Sequence, residues 1–187
     1  MKAASRFCSA KRCLQNQPPK RRQRDSRGRC STLKKNLNEL INIINEITKY
    51  GLNPNLEIND KEKDLEKYLV ELYAKYFQIK YVFDEKDYAD YKFDGQNQIR
   101  ENVTSNFPSF GLYHNLSELN KIEKEAELVV GDALDDLTDI ILDLLEIKWR
   151  AETNSESDAW WYFELIFYSH TQQHLIDLLN FMKHKNG

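Results

Sequence analysis

The sequence predicts an all-α fold, an antiparallel helical bundle of four main helices plus a short helix, with a disordered N-terminal arm. Three observations support this prediction. Apolar residues recur at helical spacing through most of the chain after residue 32. No segment has the alternation of apolar and polar residues that is typical of a strand. The connection between the two last helices is short and polar, as it is between antiparallel neighbours in a bundle.

The charges divide the chain into an arm, residues 1–32, and a single helical-bundle domain, residues 33–187. Residues 1–35 carry twelve Lys and Arg against one acidic residue, whereas the remainder carries fifteen basic and twenty-nine acidic residues. The arm has few apolar residues, so burial cannot offset the entropy lost on ordering it. We interpret it as an inert tail or the product of a misplaced start codon. Nucleic-acid binding, expected only through the basic residues 1–35, is less favoured because almost no aromatic residue is present there to stack on bases.

The composition also bears on the compartment. No apolar run approaches the length needed to cross a bilayer, and the N-terminus has no apolar core of a signal peptide, so we expect no membrane association. All three cysteines (Cys8, Cys13 and Cys30) lie in or near the arm, without the paired spacing of a zinc site. A domain without cysteines needs no oxidising compartment, and we predict a cytoplasmic protein.

The first two helices are predicted from caps and periodicity. Ser31 or Thr32 can cap the first helix, and Gly51 is expected to end it. Asn59 or Asp60 is expected to open the second helix. In each helix the apolar residues recur at helical spacing, which predicts that one face of the helix is buried.

The middle of the chain is predicted to be less regular. Residues 82–95 are acidic and rich in tyrosine without clear periodicity, so we expect a loop there. A short helix is predicted over about 96–106. Pro108 and Gly111 then indicate a turn, which the neighbouring aromatic residues are expected to fasten to the core.

Two long helices are predicted to complete the bundle. The first begins somewhere in the 125–132 region and reaches about Ala151. The second extends from about Ser157 to Lys183, after a polar linker. Because that linker is short, these two helices are expected to be antiparallel neighbours.

The first long helix carries five aspartates within twelve residues, and no Lys or Arg lies among them: Asp132, Asp135, Asp136, Asp139 and Asp143. Like-charge pairs at i,i+3 and i,i+4 cost a few tenths of a kcal/mol each, roughly 1–2.5 kcal/mol for this set. A helix that begins at Gly131 would explain three of them, because an N-cap and first-turn acids are favoured by the helix dipole. Asp139 and Asp143 then still need an explanation.

The last helix carries His170 and His174 one turn apart, on what the helical wheel predicts to be the middle of an aromatic face. Two histidines at this spacing can share a metal ion. The chain lacks the metalloprotease motif, because Thr171 stands where His-Glu-x-x-His has its general base. For either histidine alone we favour a core role, with the ring hydrogen-bonded to a carbonyl or to an acid of a neighbouring helix.

Together these residues form one candidate functional cluster between the last two helices. Carboxylates and histidines that project inward from facing helices are how bundles build metal sites, although the Glu-x-x-His motifs of ferritin-like sites are absent. A divalent metal is the cofactor that such a cluster would hold, and no other cofactor is evident. The cluster comprises Asp132, Asp136, Asp139, Asp143, His170 and His174, of which the candidate metal ligands are Asp139, Asp143, His170 and His174.

The region from about residue 98 to 182 resembles a bacterial all-helical family catalogued as a domain of unknown function. The resemblance lies in the Phe107-Pro108-x-Phe110-Gly111-x-Tyr113-His114 segment, in the aspartate-rich helix from Gly131 to Leu144, and in Trp160, Phe163, Phe167 and His170-x-x-x-His174-Leu175. Members share a G-D-x-x-x-D-L-x-D-I-x-x-D-L helix and a later H-W-G-x-H-L segment. This chain departs from the pattern at Thr171 and Gln172. The resemblance implies a bacterial cytoplasmic helical protein and brings no activity, cofactor or substrate.

Two functions are compatible with the sequence. The favoured one is a non-enzymatic interaction or regulatory domain, whose acidic face binds a protein partner with a basic surface. The alternative is a metal-dependent hydrolase that acts on a nucleotide or phosphoester through the Asp/His cluster. The absence of a glycine-rich phosphate loop and of a recognisable Ser or Cys nucleophile favours the first.

Overall fold

The computed structural model describes residues 26–116, 125 and 127–187, with side chains from residue 36 onward. The predictions of disorder and of nucleic-acid binding for the arm rest largely on residues 1–25, which lie outside the described residues. The elements in chain order are α1 (Ser26–Leu52), α2 (Lys61–Tyr76), α3 (Gln96–Asn106), β1 (Leu112–Leu116), β2 (Leu128–Asp132), α4 (Ala133–Thr153), α5 (Glu156–Ile166) and α6 (Gln172–Asn186). A π-helical turn, Phe167–Thr171, joins α5 to α6. The predicted helical fold is confirmed.

Several boundaries agree with the sequence analysis and others do not. Helix α3 covers 96–106 as predicted, and the predicted loop at 82–95 has no regular structure. Helix α1 begins at Ser26, before the predicted caps, since no proline interrupts the chain between Pro19 and Pro54. It ends one residue beyond Gly51.

The prediction that the chain has no strands is wrong. Strands β1 and β2 form a two-stranded antiparallel sheet in which Tyr113 lies opposite Gly131 and Leu116 opposite Leu128. Residues 128–132 therefore do not extend helix α4, which begins only after Asp132. The apolar residues Leu128, Val129 and Val130 can support either structure, and here they face largely outward from the bundle.

Helix α4 is central in the bundle, because it packs against α1, α3, α5 and α6. Its Leu137, Ile141 and Leu144 are fully buried with side chains from each of the other long helices. At Gly51, helix α1 comes so close to α3 and α4 that an added Cβ would lie 2.9 Å from the Cγ2 atoms of Ile99 and Ile141. Ala would therefore require its neighbours to move, which explains a glycine inside a helix.

Helix α3 fastens the α1–α2 connection through Asn106. Its side-chain amide donates to the backbone carbonyl oxygens of Tyr50 and Asn53, and its Oδ1 accepts from the backbone N–H of Leu56. Asn106 is only 3% exposed, so these bonds satisfy polar groups that water cannot reach. This contact holds one end of the bundle, whereas the candidate site lies along α4 and α6.

Among the described residues, no helix has an apolar stretch that is both long enough and sufficiently uncharged to span a lipid bilayer.

Candidate metal centre

Asp132 and Asp135 have structural roles at the N-terminus of α4. The side chain of Asp132 caps the helix by accepting from the backbone N–H of Leu134 at 3.0 Å, as the sequence predicts. Arg100 of helix α3 forms ion pairs with both carboxylates. These two aspartates thus join α3 to α4 and are not directed at the histidines.

Asp136 lies in the first turn of α4, as predicted, and it is also buried and bonded to two side chains of other elements. Tyr113 of strand β1 donates its hydroxyl to Oδ2 at 2.6 Å, and Nδ1 of His174 lies 2.8 Å from Oδ1. The side chain is 9% exposed. Asp136 therefore links the small sheet to helix α6.

Asp143 plays the corresponding part for the other histidine. Its Oδ2 atom lies 2.9 Å from Nδ1 of His170 and accepts from the hydroxyl of Thr171 at 2.7 Å. Burial raises the pKa of the Asp143 carboxyl above its ordinary value, although the hydrogen bonds from His170 and Thr171 act in the opposite direction. Asp143 thus contacts Nδ1 of His170, the ring nitrogen on the side away from His174.

The two Nε2 atoms face each other. They are 3.3 Å apart, and Nε2 of His174 is 3.7 Å from Oδ2 of Asp139. One ligand atom from each of Asp139, His170 and His174 lies within 4.8 Å of the other two. Of the four ligands that the sequence suggests, these three lie close together. The fourth, Asp143, contacts Nδ1 of His170 and not the space between the Nε2 atoms.

The histidines do not occupy the middle of the buried face, where the helical wheel placed them. Thr171 and Leu175 are fully buried there, whereas the side chain of His170 is 44% exposed and that of His174 is 26% exposed. The difference arises in the π-helical turn, which holds one residue more per turn than an α-helix and so changes which side chains face α4. The histidines consequently lie at the edge of the core, within reach of solvent.

The carboxylates determine the tautomer of both rings. An ionised carboxylate can only accept a hydrogen bond, so we assign the ring proton to Nδ1 of His170 and of His174. The Nε2 lone pairs are then directed at each other. The hydrogen bond to Asp136 raises the pKa of His174, and burial opposes this effect. Two facing lone pairs repel each other, and a shared proton or a cation between them removes that repulsion.

The arrangement matches the requirements of a metal centre. Two nitrogen atoms bonded to one tetrahedral zinc ion at 2.0–2.1 Å are about 3.3–3.4 Å apart. The observed separation of the Nε2 atoms is 3.3 Å. Histidines that bind metals usually donate their other ring N–H to a carboxylate, as both rings do here. Three protein ligands would leave a fourth position, on the side where His170 and Asp139 are accessible to solvent.

Sequence reasoning missed two contributors to this cluster. Tyr113 was interpreted only as an aromatic anchor, and Thr171 only as a departure from a motif. Gly131, opposite Tyr113, is required because a Cβ there would overlap the tyrosine ring. Tyr113 and Gly131 both belong to the family pattern that the sequence resembles, which was the available signal. Their contact, however, depends on the pairing of two short strands, which the sequence did not predict.

Comparison of the chain with protein-family models, with curated proteins and with solved structures gave no match. The resemblance to the bacterial helical family therefore stays a prediction. Two histidines and one carboxylate are a donor set that can hold a single transition-metal ion.

Proposed function

We propose that the chain binds one divalent transition-metal ion through Nε2 of His170, Nε2 of His174 and a carboxylate oxygen of Asp139, and that it acts as a metal-dependent hydrolase. The observation that supports this proposal best is the 3.3 Å separation of two Nε2 atoms whose rings are both anchored at Nδ1 by carboxylates of α4. Zinc is favoured over ferrous iron, because cis nitrogen ligands of an octahedral ion would be only about 3.0 Å apart.

The chemistry follows from the open coordination position. A zinc ion held by these three ligands would lower the pKa of a water molecule to about 7 and so would supply hydroxide at neutral pH. Asp136 and Asp143 would orient the two rings and increase their basicity toward the metal. The three carboxylates around the site carry more negative charge than a dication balances. We therefore favour a neutral or cationic substrate, such as an ester or amide, over a phosphoester.

An acidic face for a basic protein partner is less favoured than the metal site. Within the described residues, Asp132 and Asp135 are paired with Arg100, and Asp136 and Asp143 are bonded to histidines. Most of the aspartates that suggested such a face are therefore partnered inside the chain. Bacterial origin and a cytoplasmic location stay predictions from the sequence.

The test of metal binding is a titration of the chelator-treated full chain with Zn²⁺, Mn²⁺, Fe²⁺ and Mg²⁺ by calorimetry. We expect one equivalent of Zn²⁺ to bind, and His170→Ala, His174→Ala and Asp139→Asn each to abolish or strongly weaken binding. His184→Ala, which alters an exposed histidine near the C-terminus, is the matched control and should bind as the parent does. Loss of binding in the control as well, or parent-like binding by all three site variants, would overturn the assignment.

Hydrolysis is tested separately with the zinc-loaded chain on a nitrophenyl ester and on nitrophenyl phosphate. We expect turnover of the ester that is lost in Asp139→Asn and retained in His184→Ala. Stoichiometric zinc binding without turnover of either substrate would reject the catalytic part and leave the metal site intact.

A further inference from the structure

A groove lined largely by aromatic residues lies along α5, and it shares no lining residue with the proposed metal site. It is an open groove of about 480 Å³ between the end of α2, the loop that follows it, and α5 with its π-helical turn. A leucine and a serine form a small part of its wall. Four aromatic side chains and one carboxylate form the rest: Tyr76, Tyr81, Trp161, Tyr168 and Glu164. This volume is within the range of small-ligand sites, about 300–1,000 Å³.

Two of the rings are held in place before any ligand binds. Tyr76 stacks on the fully buried Phe167, with ring centroids 4.6 Å apart and planes 22° from parallel. Tyr81 donates its hydroxyl to Oε2 of Glu164 at 2.9 Å, which joins the loop to α5. Fixed side chains lower the entropic cost of binding, so the groove is preorganised on this side.

The chemistry of the lining selects for positive charge. The face of an aromatic ring carries partial negative charge and attracts a cation within about 6 Å of the centroid. Glu164 adds a full negative charge, and none of the lining residues is a lysine or arginine. The hydrogen bond to Glu164 and, above all, burial raise the pKa of Tyr81 to about 12, so its hydroxyl stays neutral and donates.

The apolar area of the same rings defines the kind of cation. A metal ion or a primary ammonium keeps strongly bound water, which rings cannot replace. A methylated ammonium has a shell of methyl groups that contacts the ring faces and spreads its charge toward them. Tyr168 is 74% exposed, so a large apolar surface is available for such a contact at the mouth of the groove.

We propose that this groove binds a small organic cation with a methylated ammonium group, of the choline type, between the aromatic rings and the Glu164 carboxylate. Trp161 and Tyr76 line the groove, and Tyr168 is its most exposed ring. This site is separate from the proposed metal centre, so either can be lost without the other.

The experiment titrates the full chain with choline chloride by calorimetry and by NMR, against sodium chloride of equal ionic strength. The neutral isostere 3,3-dimethylbutan-1-ol has the same shape as choline but no charge. We expect saturable binding of choline with a dissociation constant of about 1 mM or tighter, and binding of the alcohol at least about tenfold weaker. No saturation at ~10 mM choline, or equal binding of the two compounds, would overturn the proposal.

Variants locate the site. Glu164→Gln keeps an acceptor for Tyr81 and removes the charge, and Tyr168→Ser removes an exposed ring without disturbing the core. Each should weaken choline binding about five- to tenfold. Tyr168→Phe keeps the ring and Glu152→Gln removes an exposed carboxylate elsewhere, so both should bind as the parent does. Asp139→Asn should also leave choline binding unchanged.

Two further outcomes would contradict the assignment. If Glu164→Gln and Tyr168→Ser bind choline as tightly as the parent, the cation is bound somewhere other than this groove. If the chain binds phosphatidylcholine vesicles and does not bind free choline, the surface recognises a lipid headgroup and the proposed small-molecule ligand is wrong.

Discussion

His170 and His174 are anchored by similar bonds but with different partners. Asp143 is shared between His170 and Thr171, which are neighbours on one helix. Asp136 is shared between His174 and Tyr113, so it connects two elements that are far apart in the chain. The orientation of His174 therefore depends on the small sheet, whereas that of His170 depends only on α4 and the π-helical turn.

Removing the charge of Asp136 should weaken the metal site without removing a ligand. Asp136→Asn keeps the size of the side chain but gives His174 a poorer acceptor and leaves its ring less basic. Loss of such an outer-shell partner typically reduces metal affinity about 10–100-fold. Competition with a zinc chelator measures the affinity. Asp135→Asn on the same turn is the control, and an equal loss there would mean that the effect is only one of general charge.

The pKa of His174 predicts opposite pH dependences for stability and for metal binding. Because the folded state raises this pKa above 6.5, its contribution to the free energy of unfolding is full below that pH. The contribution is lost as the pH rises through the higher folded-state value. Zinc affinity should instead increase over the same range, since the metal competes with the proton.

Urea denaturation of the chelator-treated chain at pH 6, 7 and 8 measures the first of these effects. His174→Asn should remove the decline in stability above pH 6.5 that comes from this residue. His184→Asn is expected to keep it. A decline of the same size in the parent and in His174→Asn would show that another group is responsible.

At the scale of elements, local signals predicted some boundaries and could not predict others. Helix α3 was predicted at about 96–106, and Pro108 and Gly111 indicated the turn that follows its end. The sheet was missed because each strand has only five residues and its stability depends on a partner distant in sequence. The π-helical turn was missed because a regular helix was assumed through residues 157–183, and the bond from Thr171 to Asp143 that accompanies the turn joins two helices.

The pairing of β1 with β2 can be tested at Gly131. Gly131→Ala should push the ring of Tyr113 away and break its hydrogen bond to Asp136. Overpacking of this kind costs about 1–3 kcal/mol of unfolding free energy, which chemical denaturation measures. Zinc affinity should decrease too, because Asp136 loses a partner. At Gly111 an added Cβ meets nothing within 4 Å, so Gly111→Ala should leave stability and affinity nearly unchanged.

For the whole molecule, the central position of α4 predicts that metal binding and global stability are coupled. The proposed metal would join α4 to α6, two helices that contribute to one shared core. A ligand that binds only the folded state at 100 times its dissociation constant adds about 2.7 kcal/mol to stability. For a chain of this size that corresponds to a rise in Tm of roughly 5–11 °C.

Calorimetric melting with and without zinc checks this coupling. The parent and His184→Ala should both show the rise, and Asp139→Asn should melt at the same temperature in either condition. A rise in Asp139→Asn equal to that of the parent would mean that zinc stabilises the chain from a different site.

The sequence predicted the helical class and the residues of the candidate cluster, but neither the exposure of the histidines nor how the cluster is assembled. Asp139, His170 and His174 could be selected because their residue types and helical spacing are informative on their own. The roles of Asp136 and Asp143 depend on distances between helices, which no local pattern determines. Asp136 does lie in the first turn of α4, as predicted, but its bonds to Tyr113 and His174 come from other elements, which the pattern of one helix could not indicate.

The π-helical turn at Phe167–Thr171 makes the site sensitive to the deletion of a single residue. Such a turn is an α-helix with one residue added, so a single-codon deletion within it would restore a regular helix. Everything after the deletion would then rotate by about 100° relative to α5. His174 could no longer face Asp136 while Phe163 and Phe167 kept their places in the core. A difference of one codon therefore separates a helix that aligns both imidazoles from one that cannot.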